Sequence, residues 1–338
     1  EPIADAAVPG PAYPIPFDAD GLESKSLAMR FGVLTPKPIG IASWNDDFRR
    51  LIGFAQLTLR SEFKTVPKRT YLVGVSNGGA QVRTALETLP DIVDGGLEYA
   101  APYWKPEQNL LDMLPPFLTA MPSYIESGFR DPQSRRVIES AGFPPDVVTA
   151  DPSHPSLWCE YYSNAAPYYN DLTLFVYALL IDPNASAAAV VQAPQPNSTD
   201  PRRLPGRVGG SGLVQPSARA EYLPSPQARD AIVAFTHTGA LQRPLISLAG
   251  TKDMLIPPTF HADGYAQAVA TSGSTALHRL YLIDGATHFD KLANSGYWLQ
   301  PALPFMWAAF DKLVRTVEAG DTQDAGVRRV VTSPSDIG

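Results

Sequence analysis

The sequence predicts an α/β protein: a mostly parallel sheet with helices on both faces and one helical insertion. Three observations carry this. Short runs of strand-forming residues alternate with segments of helical periodicity over residues 69–102 and again over 230–320. A G-x-S-x-G pentapeptide, Gly74-Val-Ser-Asn-Gly78, lies between a strand pattern and a helix pattern. An aspartate and a histidine, Asp253 and His288, each follow a later strand pattern, in that order after the serine.

The chain in order supports each element. Residues 1 to about 42 are rich in Pro and Gly, and the apolar runs Phe31-Gly-Val-Leu34 and Ile39-Gly-Ile-Ala42 read as short strands. Residues 46–63 read as an amphipathic helix, with Phe48, Leu51, Ile52, Ala55, Leu59 and Phe63 at helical spacing and Ser43 or Asn45 available as a cap. Tyr71-Leu-Val73 is a strand leading into the pentapeptide, and 80–87 is the helix after it. Asp94-Gly-Gly-Leu-Glu-Tyr-Ala-Ala-Pro102 is the next strand with its exit loop. Strand, helix, strand in this order favours parallel βαβ units.

Residues 103–229 differ in character. The chain holds 34 prolines in 338 residues, about twice the usual share, and many fall here, including the pairs Pro115-Pro116 and Pro144-Pro145. Aromatic residues are dense: Tyr103, Trp104, Phe117, Tyr124, Phe129, Phe143, Trp158, Tyr161, Tyr162, Tyr168, Tyr169, Phe175 and Tyr177. Helical pieces are expected over 107–114, 134–141 and 169–180, and a long loop over 195–216. The aromatic residues have two readings: the core of an inserted helical subdomain, or the inner face of a lid lining a substrate pocket. Regular structure resumes with a helix over 227–236, a buried strand over 244–250, a helix over 260–272, a strand over 278–283 and a helix over 303–318. Residues 321–338 are polar and read as a surface tail.

Composition bounds the partners. Hydrophobic residues make up 44% of the chain, enough for a large core, and the net charge of −7 argues against a nucleic-acid partner. No run reaches the ~18 apolar residues of a membrane span. Cys159 is the single cysteine, has no zinc-type ligand set around it in sequence, and reads as a buried thiol. The start, Glu1-Pro-Ile-Ala-Asp-Ala-Ala-Val-Pro-Gly-Pro11, reads as the extended arm of a mature exported chain, so a secreted or periplasmic location is expected.

The pentapeptide implies specific chemistry. A serine between strand and helix is held on a sharp turn, and glycines around it avoid collisions between the two elements. The N-terminus of the following helix offers N–H groups and positive potential to a developing oxyanion, and the amide of Asn77 is one such donor. A serine hydroxyl is a poor nucleophile at neutral pH and needs a base oriented by a carboxylate. In a doubly wound sheet these groups sit in loops past the carboxyl ends of strands. Asp253 lies three residues past the strand ending at Gly250, and His288 lies in the Gly285-Ala-Thr-His288 turn after the strand ending at Ile283. The other acids near these loops are Asp263, Asp284 and Asp290. Among the other histidines, His154 reads as a solvated or locally bonded loop residue, His237 as a loop or helix-end residue, His261 as a capping residue, and His278 as an exposed strand start. A second oxyanion donor is expected from 34–38 or 39–45.

Taken together, the Gly74-Val-Ser-Asn-Gly-Gly79 turn, the strand at 94–102, the Gly250-Thr-Lys-Asp-Met-Leu-Ile-Pro257 loop and the Gly285-Ala-Thr-His288 turn resemble the α/β-hydrolase superfamily over about 69–102 and 244–320. The long insertion is similar to that of the tannase, feruloyl esterase and hydroxybutyrate-oligomer hydrolase branch, and of related polyester-active carboxylesterases. The resemblance implies an α/β-hydrolase core from 1–102 and 230–320, a lid at 103–229, and serine carboxylester hydrolysis. It implies Ser76 as nucleophile, His288 as base, Asp253 as its orienter and the Asn77 amide in the oxyanion hole, with no metal and no cofactor. The implied substrate is a small or polymeric ester, apolar, aromatic or oligomeric. Lipase, thioesterase or amidase activity on the same fold, or a non-catalytic binding role, are the alternatives. Two departures stand out: only about 70 residues precede the serine strand, and the cysteine pair flanking acid and histidine in some tannase-like enzymes is missing.

Overall fold

The computed structural model describes residues 41–148, 156–161, 222–294 and 299–338, with residues 170, 173–174, 177–178 and 181–185. The expectations for 31–34, for His154, for the loop at 195–216 and for most of the helix at 169–180 lie outside the described residues.

Five strands form one sheet in the order β1-β2-β3-β4-β5: β1 Tyr71–Val75, β2 Gly95–Tyr99, β3 Leu245–Gly250, β4 His278–Ile283 and β5 Arg328–Val331. Every neighbouring pair is parallel, with Val75 opposite Tyr99, Tyr99 opposite Leu248, and Gly250 opposite Ile283. The carboxyl ends of β1 to β4 therefore share one edge. β2, β3 and β4 are buried along their whole lengths, as parallel strands covered on both faces must be.

Alternation along these strands feeds two separate cores. Leu97, Tyr99, Ile246, Leu248, Tyr281 and Ile283 pack with Phe305, Met306, Ala309 and Leu313 of α8, Leu303–Ala319. On the other face, Leu245 packs with Val82, Ala85 and Leu86 of α2, Asn77–Thr88, and with Tyr265 and Val269 of α7, Pro258–Ser272. Gly96 explains the close seat of α2, because a Cβ there would come within 2.6 Å of Val82 and 2.7 Å of Leu86. Helices thus cover both faces of a parallel sheet, the α/β class that the sequence predicts.

The first helix, α1, runs over Ile41–Phe63, so residues 41–42 are helical and do not extend a strand. The helix begins upstream of both candidate caps, and Asn45 instead accepts from Thr88 Oγ1 at 3.0 Å. Its apolar contact with the core runs through Phe48 and Ile52, and Leu51 and Phe63 of the predicted face are exposed.

Within the insertion lie α3 Leu110–Glu126, α4 Pro132–Ser140 and α5 Leu157–Glu160, and α6 Pro226–Val233 follows. The helix expected to stop at Pro115 continues through Pro115, Pro116 and Pro122. Interior prolines cost a helix hydrogen bonds, but α3 buries Leu110, Leu111, Met113, Leu114, Phe117 and Tyr124, and burial of that size outweighs the loss. These side chains share a core with Trp158, Tyr161, Ile232, Met254, Leu255, Ile256 and Phe289. The insertion therefore sits on the loops after β3 and β4.

The expected tail at 321–338 is corrected by the structure. Arg328–Val331 joins the sheet as β5 beside β4, and Pro334–Ile337 forms a 3₁₀ turn whose Ile337 is buried against α8. The strand is short, sits at an edge and carries two arginines, so it lacks the apolar pattern of the inner strands. Arg328 points to Asp263 of α7, with Nε 2.6 Å from Oδ1.

Candidate active site

Ser76 is the single residue between β1 and α2. Its backbone has φ 55° and ψ −125°, a left-handed conformation rare for a residue with a side chain. Such strain costs about 1–3 kcal/mol and persists only where the surroundings enforce it. Here the Ser76 N–H donates to the Tyr99 carbonyl at 2.8 Å, and the Ser76 carbonyl accepts from Gly79 N at 2.9 Å and Ala80 N at 3.3 Å. The glycines have steric reasons. A Cβ on Gly74 would fall on the Gly78 carbonyl and within 2.7 Å of the Gly79 nitrogen, and one on Gly79 would come within 2.6 Å of Ala101 Cβ. The result is a half-buried serine at the N-terminus of α2, where the first N–H groups have no acceptor within the helix.

Asp253 and His288 meet. Asp253 is fully buried, and its Oδ2 lies 2.8 Å from His288 Nδ1. Its Oδ1 accepts from the amides of Leu255 and Ile256, each at 2.8 Å. The two loops are joined by backbone bonds: Thr251 N donates to the Ile283 carbonyl at 3.0 Å and Lys252 N to the Ala286 carbonyl at 2.9 Å. Phe289 stands edge-on to the imidazole, 4.9 Å between centroids. With Nδ1 engaged by the carboxylate, Nε2 is the ring nitrogen left to exchange a proton with another group.

The rival acids have other partners. Asp263 pairs with Arg328, Asp284 Oδ1 accepts from Thr251 Oγ1 at 3.2 Å, and Asp290 caps α8 through Ala302 N at 2.7 Å and Leu303 N at 3.2 Å. Burial pushes the Asp290 carboxyl above its ordinary value, against those two amide bonds.

His278, read as an exposed strand start, His261, read as a capping residue, and His237, read as a loop or helix-end residue, are all buried. His278 opens β4 opposite Leu245 of β3, its ring stands edge-on to Tyr265 of α7 at 5.8 Å, and its Nε2 lies 2.8 Å from Ser247 Oγ. His261 does not simply cap a helix: its Nδ1 accepts from Tyr103 N at 3.0 Å. His237 Nε2 lies 2.8 Å from the Ala80 carbonyl. Burial, reinforced by the Arg83 charge, lowers His278 and His261 to about 3 and His237 to about 4. Arg83 itself, on α2, makes a two-pronged buried pair with Glu98 of β2, 2.7 Å from Nε to Oε2 and 2.6 Å from Nη2 to Oε1.

Sequence reasoning missed three further contacts at the site. The Tyr99 hydroxyl donates to the Thr287 carbonyl, next to His288. Tyr177, from the insertion, donates to Asn77 Oδ1 at 3.2 Å. Trp104 stands edge-on to Tyr177 at 4.7 Å. None has a local sequence signal, because each joins segments far apart in the chain. Of the segments expected to supply a second oxyanion donor, residues 34–40 lie outside the described residues and 41–45 form the start of α1. Among the described residues, no group of three or more His, Cys, Asp or Glu is arranged to hold a metal ion, and no helix is long and apolar enough to cross a membrane.

No protein-family model and no curated protein sequence matches the chain. Solved structures do. Feruloyl esterase B from Aspergillus oryzae is similar at 16% identity and a TM-score of 0.46, over 80% of this chain and 63% of that one. An esterase from Aspergillus oryzae is similar at 15% identity and a TM-score of 0.43, over 80% and 62%. Paleococcus ferrophilus monoacylglycerol lipase is similar at 14% identity and a TM-score of 0.34, over 83% and 77%. The chain thus spans less than two thirds of the length of the two Aspergillus esterases.

Proposed function

We propose that this chain is a serine carboxylester hydrolase working through an acyl-enzyme. The observation that carries the reading is the buried Asp253–His288 pair, 2.8 Å apart, on the same sheet edge onto which the strained Ser76 turn opens. In the proposed reaction, Ser76 Oγ attacks the ester carbonyl carbon while His288 Nε2 takes its proton. Asp253 holds Nδ1–H and stabilises the imidazolium. The oxyanion develops against the Asn77 amide at the start of α2. The imidazolium then protonates the departing alcohol. Water enters, gives a proton to Nε2 as it attacks the acyl carbon, and the acid product leaves as Ser76 regains that proton.

The substrate we infer is an ester with an apolar or aromatic acyl group, or an oligomeric or polymeric ester. Support comes from the aromatic pair Trp104 and Tyr177, which the Tyr177–Asn77 hydrogen bond ties to the serine turn. In this reading the insertion acts as a lid over the site. The test is a panel of para-nitrophenyl esters and polyester emulsions, run beside fluorophosphonate labelling. Turnover and labelling are expected in the native chain and neither in Ser76→Ala. Labelling at another residue, or turnover that survives Ser76→Ala, overturns the assignment.

A further inference from the structure

We propose that Tyr99 is a positioning residue that couples the serine turn to the histidine turn, holding Ser76 with its backbone and His288 with its phenol. The inference rests on the reading of Ser76 and His288 given above. Tyr99 is the last residue of β2, lies opposite Val75 in register, and is fully buried. Its carbonyl takes the Ser76 N–H at 2.8 Å, a bond made by the very peptide that carries the positive φ. Its side chain crosses the end of β3, and its hydroxyl donates to the carbonyl of Thr287. That carbonyl belongs to the peptide leading into His288, so its direction helps fix where the imidazole stands.

The crossing needs Gly250. A Cβ on Gly250 would come within 3.1 Å of the Tyr99 hydroxyl and 2.6 Å of the Ala286 carbonyl carbon. The bare backbone there lets the phenol reach the histidine turn. The acid loop begins at the same residue, since Asp253 N donates to the Gly250 carbonyl at 3.2 Å. One tyrosine therefore bonds the serine turn and the histidine turn and passes the glycine at which the acid loop begins. Burial raises its hydroxyl well above the ordinary value, with the Asp253 charge acting in the same direction, so the phenol stays a neutral donor across the working pH range.

Tyr99→Phe removes the hydroxyl and keeps the ring that fills the core. A small misplacement of a base costs turnover more than binding. The expected result is a fall in kcat of about tenfold or more with KM within about twofold. The low-field proton resonance of the His288–Asp253 bond should shift or broaden at the same time. The control is Tyr265→Phe, which removes an equally buried hydroxyl 3.0 Å from Glu87 Oε1 and is expected to lower thermal stability without changing kcat or the resonance. If Tyr99→Phe does not fold, 3-fluorotyrosine placed at position 99 keeps the hydrogen bond with a stronger donor, and the same resonance is expected to move. An unchanged kcat and resonance in whichever form folds overturns the proposal. Failure of the esterase reading itself is distinguishable, because it appears as persistent turnover in Ser76→Ala.

Discussion

Asp253 divides its carboxylate, giving Oδ2 to His288 Nδ1 at 2.8 Å and Oδ1 to the amides of Leu255 and Ile256, each at 2.8 Å. One oxygen serves the proposed base and the other shapes the loop that presents it. The two roles separate by substitution. Asp253→Asn can keep its carbonyl on the two amides but turns an NH₂ toward Nδ1, which favours the wrong tautomer. By analogy with carboxylate-to-amide changes in other triads, kcat for a soluble ester should fall about 10³- to 10⁴-fold, with the fold retained. Asp253→Ala also loses the loop acceptor and should unfold at lower urea, by about 1–3 kcal/mol. Steady-state kinetics and urea titration of the two variants check this.

The glycines of the serine turn differ in what they do. A Cβ on Gly74 would strike the Gly78 and Gly79 backbone, whereas one on Gly78 meets nothing within 4 Å. Gly74→Ala should therefore destabilise by about 3 kcal/mol, since backbone cannot move aside as a side chain can. Gly78→Ala should be neutral or stabilise by up to about 1 kcal/mol. Thermal or urea unfolding of the pair measures the difference, and equal losses would contradict the steric account.

What the sequence made legible follows from the range of the forces involved. Ser76, Asp253 and His288 could be read because each sits in a local pattern: an apolar run, then a turn dictated by glycine or by the end of a strand. The strands β3 and β4 are legible for the same reason, β3 as a buried one. Tyr99, Arg83 and the burial of His278 were not, since a tyrosine's partner 188 residues away leaves no local mark. His278 meets Ser247 of β3 and the Tyr265 ring of α7, both remote in the chain, so its burial leaves no local mark. In α3, proline punctuation was overruled by tertiary packing around Phe117 and Tyr124.

Acid should unfold this protein early. His237, His261 and His278 are buried with values lowered to about 4, 3 and 3, chiefly by desolvation. In the unfolded chain each titrates near its ordinary value of about 6.5. Below that value the unfolded state binds more protons, so the stability these neutral rings contribute is complete above about pH 6.5 and is lost as pH falls toward 3–4. The slope is about 1.4 kcal/mol per pH unit for each proton taken up. Urea midpoints measured from pH 7.5 to 4.5 should drop steeply. Replacing His278 by Gln, which can still meet Ser247 Oγ, should flatten the curve, and an unaltered slope would count against this assignment.

The Arg83–Glu98 pair joins the helix behind Ser76 to the strand carrying Tyr99. Both side chains are 1% exposed, and Arg83 also lies 4.1 Å above the Tyr265 ring, while Glu98 Oε1 accepts from Ser247 Oγ at 2.6 Å. Removing one partner leaves the other charge buried and uncompensated, a loss of about 3–5 kcal/mol. Replacing both with apolar residues of similar volume removes the uncompensated charge. Arg83→Met and Glu98→Leu should therefore each destabilise strongly, while the double variant loses less than the two combined, by about 1–3 kcal/mol. A double-mutant cycle in urea gives the coupling directly. Additive losses would mean that the two groups are held by their other contacts and that the ion pair contributes little to fixing α2 on β2.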